Sequence, residues 1–358
     1  MSNIRFVPHP GEYLNDAINE LGMSQNEFAI RIGTTGKTIS KIISGKQNIT
    51  FDIASKIAEF FGTSTNVWLN LQNSYNEYIR QVEIEKTEEE EYEILSYFDK
   101  KYIEKMLNIE FKKQNRKEVL SKVKQFFMVT SLKNLKASDL FSFYRTSVLK
   151  DIDDKQIVLR NAWISLAMYK SKDIECSSYN EKKLISYLPK IKKLIKEDPE
   201  VFVPLLKEYL NDSGIKFIIL PYLKGSNVST VTRWIQNESS ILIAINDHGK
   251  DADRFWFNIF HEIGHAIRNN KRHISISYEK DKINDDDEKF ANDFARKQLI
   301  NQNDYEKFIK ENDFSLKKMK IFAASQEIPL FILIGRLQND ELLNWNEFNS
   351  YKIKYEIK

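Results

Sequence analysis

The sequence predicts a mainly α, multi-domain protein with a small β-sheet in its C-terminal part. Three observations lead there. The chain has 358 residues, more than one ordinary domain holds. Most of it repeats apolar residues at steps of three and four, the period of a helix with one buried face. Only three short runs read otherwise: IKFIIL (215–220), VTRWI (231–235) and SILIAI (240–245), each β-rich and bounded by Gly, Asn, Ser or Asp. Helix, small sheet, then helices is the order of an α+β unit.

Three segments follow along the chain. Residues 1–80 are compact: Gly22, Gly33, Gly45 and Gly62 each close an apolar-periodic stretch, where a helix end favours glycine. Ser24 and Glu27 spell an S-x-x-E capping box. The charge run IEKTEEEEYE (84–93) reads as a solvated helix or linker and belongs to the second segment, 81–200. That segment carries helical patterns at 117–129 (KEVLSKVKQFFMV) and 156–169 (QIVLRNAWISLAMY), and no catalytic motif. The third, 201–358, opens on an amphipathic helix (VFVPLLKEYLNDS, 201–213), holds the three strand runs, and reads as helix again beyond Asp251.

Composition narrows the function. Hydrophobic residues make up 42% of the chain, enough for real cores. A net charge of +3 excludes a polyanion binder working through its whole surface, so any nucleic-acid contact is local. The single cysteine, Cys176, excludes an internal disulfide framework and a multi-cysteine zinc site. The opening MSNIRFVPHPGEYL lacks the apolar core of a signal peptide, and no stretch reaches the roughly 18 apolar residues of a membrane span. The expectation is a cytoplasmic protein with no membrane partner.

The most informative stretch is FNIFHEIGHAI (257–267). On a helix over 253–269, Phe255, Trp256, Ile259, Phe260, Ile263 and Ile267 share one side. Arg254, Asn258, His261, His265 and Arg268 share the other. His261 and His265 are one turn apart, the spacing with which two imidazoles reach one metal ion. Glu262 lies one position round, beside them. A zinc ion with three protein ligands keeps a fourth position for water and lowers the pKa of that water toward neutrality. A neighbouring carboxylate can take the proton and pass it to a leaving amine, the role open to Glu262. A third ligand is required. In NDDDEKFANDFA (284–295) Glu288 and Asn292 are four apart on one helical face. Glu288 could bind the metal and Asn292 could hydrogen-bond a ligand imidazole, with Asp285, Asp286 and Asp287 as rivals. His273 and Tyr278 are candidates for stabilising an oxyanion.

DRFWFNIFHEIGHAI followed by DEKFANDFA resembles the ImmA/IrrE (M78-like) family of metallopeptidases, over about 200–340. TRWI (232–235) and PLFILIGRLQ (329–338) are similar to recurrent segments of that family. The resemblance implies an α+β, zincin-like metallopeptidase domain. It implies one Zn2+ per chain on His261, His265 and Glu288, with Glu262 as general base and Asn292 in the outer shell.

The second signal is GMSQNEFAIRIGTTGKTISKIISGKQNIT (22–50). A short helix with Ala29 on its packed face, a turn at Gly33–Thr34, and a second helix with Ile39 and Ile42 inward make a helix-turn-helix. The second helix can enter a major groove. Gly36, Lys37, Thr38, Ser40 and Lys41 face outward on it; lysines suit phosphates, and short hydroxyls or long basic chains suit base edges. Gln25 can bond phosphate or brace the second helix. Residues 4 to about 80 resemble the Cro/C1-type (XRE) domain. The segments HPGEYLNDAINELGMSQ and VWLNLQNSY carry a narrower likeness to HigA-like antitoxins. The resemblance implies five helices, a homodimer, and binding of a double-stranded DNA operator through Gln25, Lys37, Thr38, Ser40 and Lys41.

Together the two ends predict a DNA-binding transcriptional regulator fused to a zinc-dependent endopeptidase that cleaves a regulatory protein, a repressor or an antitoxin. The alternative is a HigA-like antitoxin and autorepressor, paired with a cognate toxin, whose zinc domain is non-catalytic.

Overall fold

A computed structural model describes residues 5–355, apart from 109, 113–114, 138–139, 141–152, 236–238, 248–250, 269–274 and 279–285; of 275–278 it describes the backbone alone. The chain divides into two compact units, Met1–Tyr92 and Glu93–Lys358.

The first unit is built on α1 (Pro10–Glu20), α2 (Gln25–Arg31), α3 (Gly36–Ile43), α4 (Phe51–Phe61) and α5 (Thr65–Leu95), the last running on beyond the unit's end. Side chains start the first four. His9 caps α1: its Nδ1 accepts the Gly11 amide at 3.0 Å, while Glu12 accepts the His9 amide at 3.3 Å. Ser24 accepts the Glu27 amide at 3.1 Å, Thr35 that of Thr38 at 3.2 Å, and Thr50 that of Ile53. The Glu27 carboxylate pairs with Arg31 at 2.7 Å rather than reaching back to Ser24, so the expected box at α2 is half made. Gly22, Gly33 and Gly45 follow helix ends and Gly62 is itself a C-cap, all with φ of +65° to +69°. Leu14, Ile18, Phe28, Ala29, Ile39, Ile42, Ile57 and Trp68 form the core. The charge run does not interrupt the helix: it lies within α5, with Ile84, Lys86, Glu89, Glu90 and Glu93 exposed but Glu91 and Tyr92 buried.

The second unit begins with α6 (Lys100–Leu107), α7 (Arg116–Phe126), α8 (Asp154–Ser171), α9 (Glu181–Lys193) and α10 (Pro199–Asp212). The strands β1 (Ile215–Leu220), β2 (Val228–Ile235) and β3 (Ser240–Asn246) follow, then α11 (Ala252–Arg268). A fourth strand, β4 (Ser275–Tyr278), comes next, before α12 (Asp286–Leu299), α13 (Gln302–Lys310), α14 (Leu316–Ser325) and α15 (Leu330–Asn339). The expectation of helix throughout beyond Asp251 is therefore corrected by β4. The sheet order is β1-β3-β2-β4, with β1 parallel to β3 and β2 antiparallel to both β3 and β4. A four-residue strand is too short to announce itself by alternation; pairing with β2 supplies what its sequence does not.

Both faces of the sheet are covered. Phe217, Ile241, Ile243 and Ile245 pack with Trp256, Ile259, Phe260 and Ile263 of α11. The opposite face meets α8: Lys216 donates to the Ser171 carbonyl at 3.0 Å, and Arg233 reaches Met168 Sδ at 3.0 Å. From α8, Trp163 donates to the Pro221 carbonyl at 3.2 Å. The residues of α8 from Ile157 to Ala167 are all buried, including Arg160, Asn161 and Ser165. The half-exposed helix read at 156–169 is thus a central one, buried all round. It forms a layer of the second unit.

The start of α11 is anchored by the end of the chain. The Ala252 amide donates to the Ile353 carbonyl at 2.9 Å, and Trp256 Nε1 to the Tyr355 hydroxyl at 2.8 Å. Lys352 pairs with the buried Asp253 at 2.9 Å.

Candidate metal centre

The two imidazoles come from one turn of α11 and the carboxylate from the first turn of α12. Glu288 lies 3.3 Å from His261 Nε2 through Oε2, and 3.2 Å from His265 Nε2 through Oε1. The two Nε2 atoms are 3.0 Å apart. His261, His265 and Glu288 each offer a ligand atom within 4.8 Å of the others. The outer nitrogen of His261, Nδ1, lies 3.1 Å from Asn292 Oδ1. An amide oxygen only accepts, so with a cation bound Nδ1 would keep the proton and Nε2 would turn its lone pair to the ion.

The helices meet closely because small residues face each other. A Cβ on Gly264 would stand 3.0 Å from Ala291 Cα. Ala291 is one turn beyond Glu288, so this approach delivers the carboxylate to the imidazoles. It also covers the supposed polar stripe of α11: His261 is 5% exposed and His265 8%.

Glu262 is fully buried on the side facing β2. Its Oε1 accepts the Thr230 hydroxyl, and its Oε2 accepts the Thr232 hydroxyl at 2.5 Å. Oε1 stands 4.0 Å from His261 Nε2.

In the first unit, Lys37, Ser40 and Lys41 are exposed on α3, Thr38 is half-buried, and Gln25 is the half-buried first residue of α2. The Thr38 hydroxyl lies 2.9 Å from that of Thr35, at the helix start. Gly36 does not face outward as expected. A Cβ there would come 2.6 Å from Asn26 Oδ1, so it turns toward α2 and lets the two helices close.

Residues 14–68 match the helix-turn-helix family, and residues 211–327 match the IrrE N-terminal-like domain of the M78 peptidases. Over 69 residues the chain is 35% identical to the uncharacterized HTH-type transcriptional regulator YddM of Escherichia coli (strain K12), covering 19% of this chain and 73% of that protein. The chain belongs to the XRE-type helix-turn-helix regulators, with an M78 domain joined behind. Virulence-associated protein I of Dichelobacter nodosus is 30% identical over 69 residues, which is 19% of this chain and 64% of that one. Among solved structures, an addiction module antidote protein of the HigA family from Coxiella burnetii is similar at 33% identity, covering 24% of this chain and 95% of that one, with a TM-score of 0.23.

Among the described residues of the M78 domain, Glu288 rather than Asp286 or Asp287 meets the histidines. Asp287 turns to Arg268, 3.1 Å away, and Asp286 is exposed; Asp285 and His273 lie outside the described residues, as does the side chain of Tyr278. Thr230 and Thr232 are the members of the site that the sequence reading missed. Their signal is the alternation in VSTVTRWI: two hydroxyls at i and i+2 share one strand face.

Electrostatics binds the M78 cluster together. Burial pulls the His261 pKa down, but the hydrogen bond to Glu288 and the charges of Glu262 and Glu288 outweigh it, and the net shift is upward. Burial pushes Glu288 up, yet hydrogen bonds from His261 and His265 hold its carboxyl well below the usual carboxylate range. Two nitrogens and a carboxylate, converging and largely shielded from water, are the donor set of a three-ligand zinc site. The residues therefore fit a divalent cation.

Proposed function

We propose that this chain is an operator-binding transcriptional regulator carrying a zinc-dependent endopeptidase that cleaves a regulatory protein, a repressor or an antitoxin. The observation that carries the peptidase half is the convergence of His261, His265 and Glu288 with Glu262 alongside. In this reading His261, His265 and Glu288 hold one Zn2+ per chain, and Asn292 fixes the His261 ring. Zinc, when bound, polarises a water molecule and the scissile carbonyl. Glu262 takes the proton from the attacking water and delivers it to the departing amine. The DNA half rests on the helix-turn-helix match and on the exposure of Lys37, Ser40 and Lys41. The lysines meet phosphates, Ser40 and Thr38 meet base edges, Gln25 braces the approach, and two copies read two half-sites.

Metal analysis beside cleavage assays tests this. Wild type should hold one zinc, His261→Ala and Glu288→Ala should lose it, and Glu262→Gln should keep zinc and lose cleavage of a co-expressed regulator. Unchanged cleavage in Glu262→Gln would rule the mechanism out.

A second reading makes the chain an antitoxin-like autorepressor whose zinc domain binds a partner toxin without hydrolysis. The likeness of HPGEYLNDAINELGMSQ to HigA-like antitoxins favours it. Repression intact in Glu262→Gln, together with no proteolysis by wild type, would select it.

A further inference from the structure

We propose that Thr230 and Thr232 are positioning residues that hold the Glu262 carboxylate against β2 and away from the metal, keeping one coordination position open. The inference rests on the zinc reading of the site and adds what that reading lacks: a reason why the nearest carboxylate is not itself a ligand.

Glu262 is a poor candidate for staying off a cation by distance alone. Its Oε1 is 4.0 Å from His261 Nε2, one of the converging donors. It is fully buried, so water does not compete for its charge. Zinc accepts carboxylate oxygens readily, and a fourth protein ligand turns an open site into a closed, structural one. Something must hold the carboxylate in place.

The strand supplies it. Thr230 donates to Oε1 and Thr232 to Oε2. With one hydroxyl on each oxygen, rotation of the carboxylate breaks both bonds at once. An ionised carboxylate only accepts, so both hydroxyl protons are committed to it. Threonine is stiff at χ1, and residues two apart on a strand share a face, so the two donors form a fixed pair. β2 is paired on both sides, with β3 and with β4, and has little freedom to follow the glutamate. These bonds also offset part of the cost of burying the charge.

The test uses the full chain. Thr→Val keeps shape and strand preference while removing the hydroxyl. Zinc affinity is read by chelator competition, and coordination by the visible spectrum of the Co2+-loaded protein. The double variant Thr230→Val/Thr232→Val should bind zinc about ten-fold more tightly, as Glu262 becomes a ligand, with an altered cobalt spectrum. Adding Glu262→Gln should return affinity and spectrum to the wild-type values. Thr230→Ser/Thr232→Ser, which keeps both hydroxyls, should match wild type. Thr232→Val alone should give a smaller change of the same sign, which covers the case in which the double variant fails to fold. A valine variant with unchanged or weaker zinc binding and the wild-type cobalt spectrum overturns the proposal. So does a gain that survives Glu262→Gln. Wild type that binds zinc but cleaves nothing removes the peptidase reading and leaves this one standing; wild type that binds no zinc removes both.

Discussion

Gly264 of α11 and Ala291 of α12 touch without an intervening side chain: a Cβ on residue 264 would lie 3.0 Å from Ala291 Cα and 3.4 Å from its Cβ. Glycine in mid-helix costs about 1 kcal/mol against alanine in local preference. Here it sits between the two histidines, and the approach it allows sets how near Glu288 comes. Gly264→Ala should gain in helix preference and lose more in packing, a net destabilisation of about 1–2 kcal/mol. It should also weaken zinc binding by moving α12 outward. Thermal melts and zinc titration read the two effects; a variant with wild-type zinc affinity would show that α12 is positioned by something else.

Asn292 orders the His261 ring through Nδ1 at 3.1 Å. Removing such a partner commonly costs 10–100-fold in metal affinity. Asn292→Ala should lose roughly that much while keeping its fold, and Asn292→Asp, which retains an acceptor, should lose less. Competition with a chelator of known affinity measures both.

His9 makes the first unit sensitive to acid. Burial pulls its pKa below 6.5, with the Glu12 charge opposing more weakly. Nδ1 must be unprotonated to accept the Gly11 amide, and Nε2 is buried without a hydrogen-bond partner. The folded pKa is the lower one, so the unfolded chain takes up a proton first as pH falls. The stabilisation is complete above about pH 6.5 and is lost as pH drops toward the folded pKa. His9→Asn keeps a capping side chain and should remove this dependence. Amide exchange across α1 in the full chain, compared above and below that pH, should show acid-induced opening in wild type and not in the variant.

Lys37 and Lys41 are exposed on one side of α3. If each neutralises a phosphate, Lys37→Ala and Lys41→Ala should each lower the salt slope of operator binding by about one, with the sequence preference kept. Binding titrations over a range of salt decide this. No change in slope or affinity would move the DNA-reading surface elsewhere.

Gly335 of α15 leaves room for Asp253. A Cβ there would fall 2.2 Å from Asp253 Oδ2, the oxygen that Lys352 holds at 2.9 Å. Gly335→Ala should push the aspartate off its lysine and strand a buried charge, costing about 3–5 kcal/mol. Urea unfolding checks it, and a cost under 1 kcal/mol would show that the pair relaxes without penalty.

Much of this protein was legible in the sequence because much of it is local. A cap depends on residues three apart, as Ser24 with Glu27. The i, i+4 pairing of His261 and His265 is a property of one helix turn. The strand runs read at 215–220 and 240–245 announced themselves by β-branched content, and the structure extends the second by one residue, to Asn246. What escaped was contact between distant segments. The apolar period of 156–169 suggested one buried face, yet α8 is buried on all of them, since burial depends on what packs around a helix. VSTVTRWI showed two hydroxyls on one face without saying that a glutamate from α11 would end between them.

The sequence by itself determined that Gly22, Gly33, Gly45 and Gly62 close helical stretches, which imidazoles share a turn, and which lysines ride the second helix of the helix-turn-helix, all set by bonds and periods within a few residues. The tertiary structure decided which of several neighbouring carboxylates meets those imidazoles, and that Glu262 is tethered to a strand. Those outcomes depend on how closely two helices and a sheet can approach. Sterics between elements fixes that distance, and no short-range pattern encodes it.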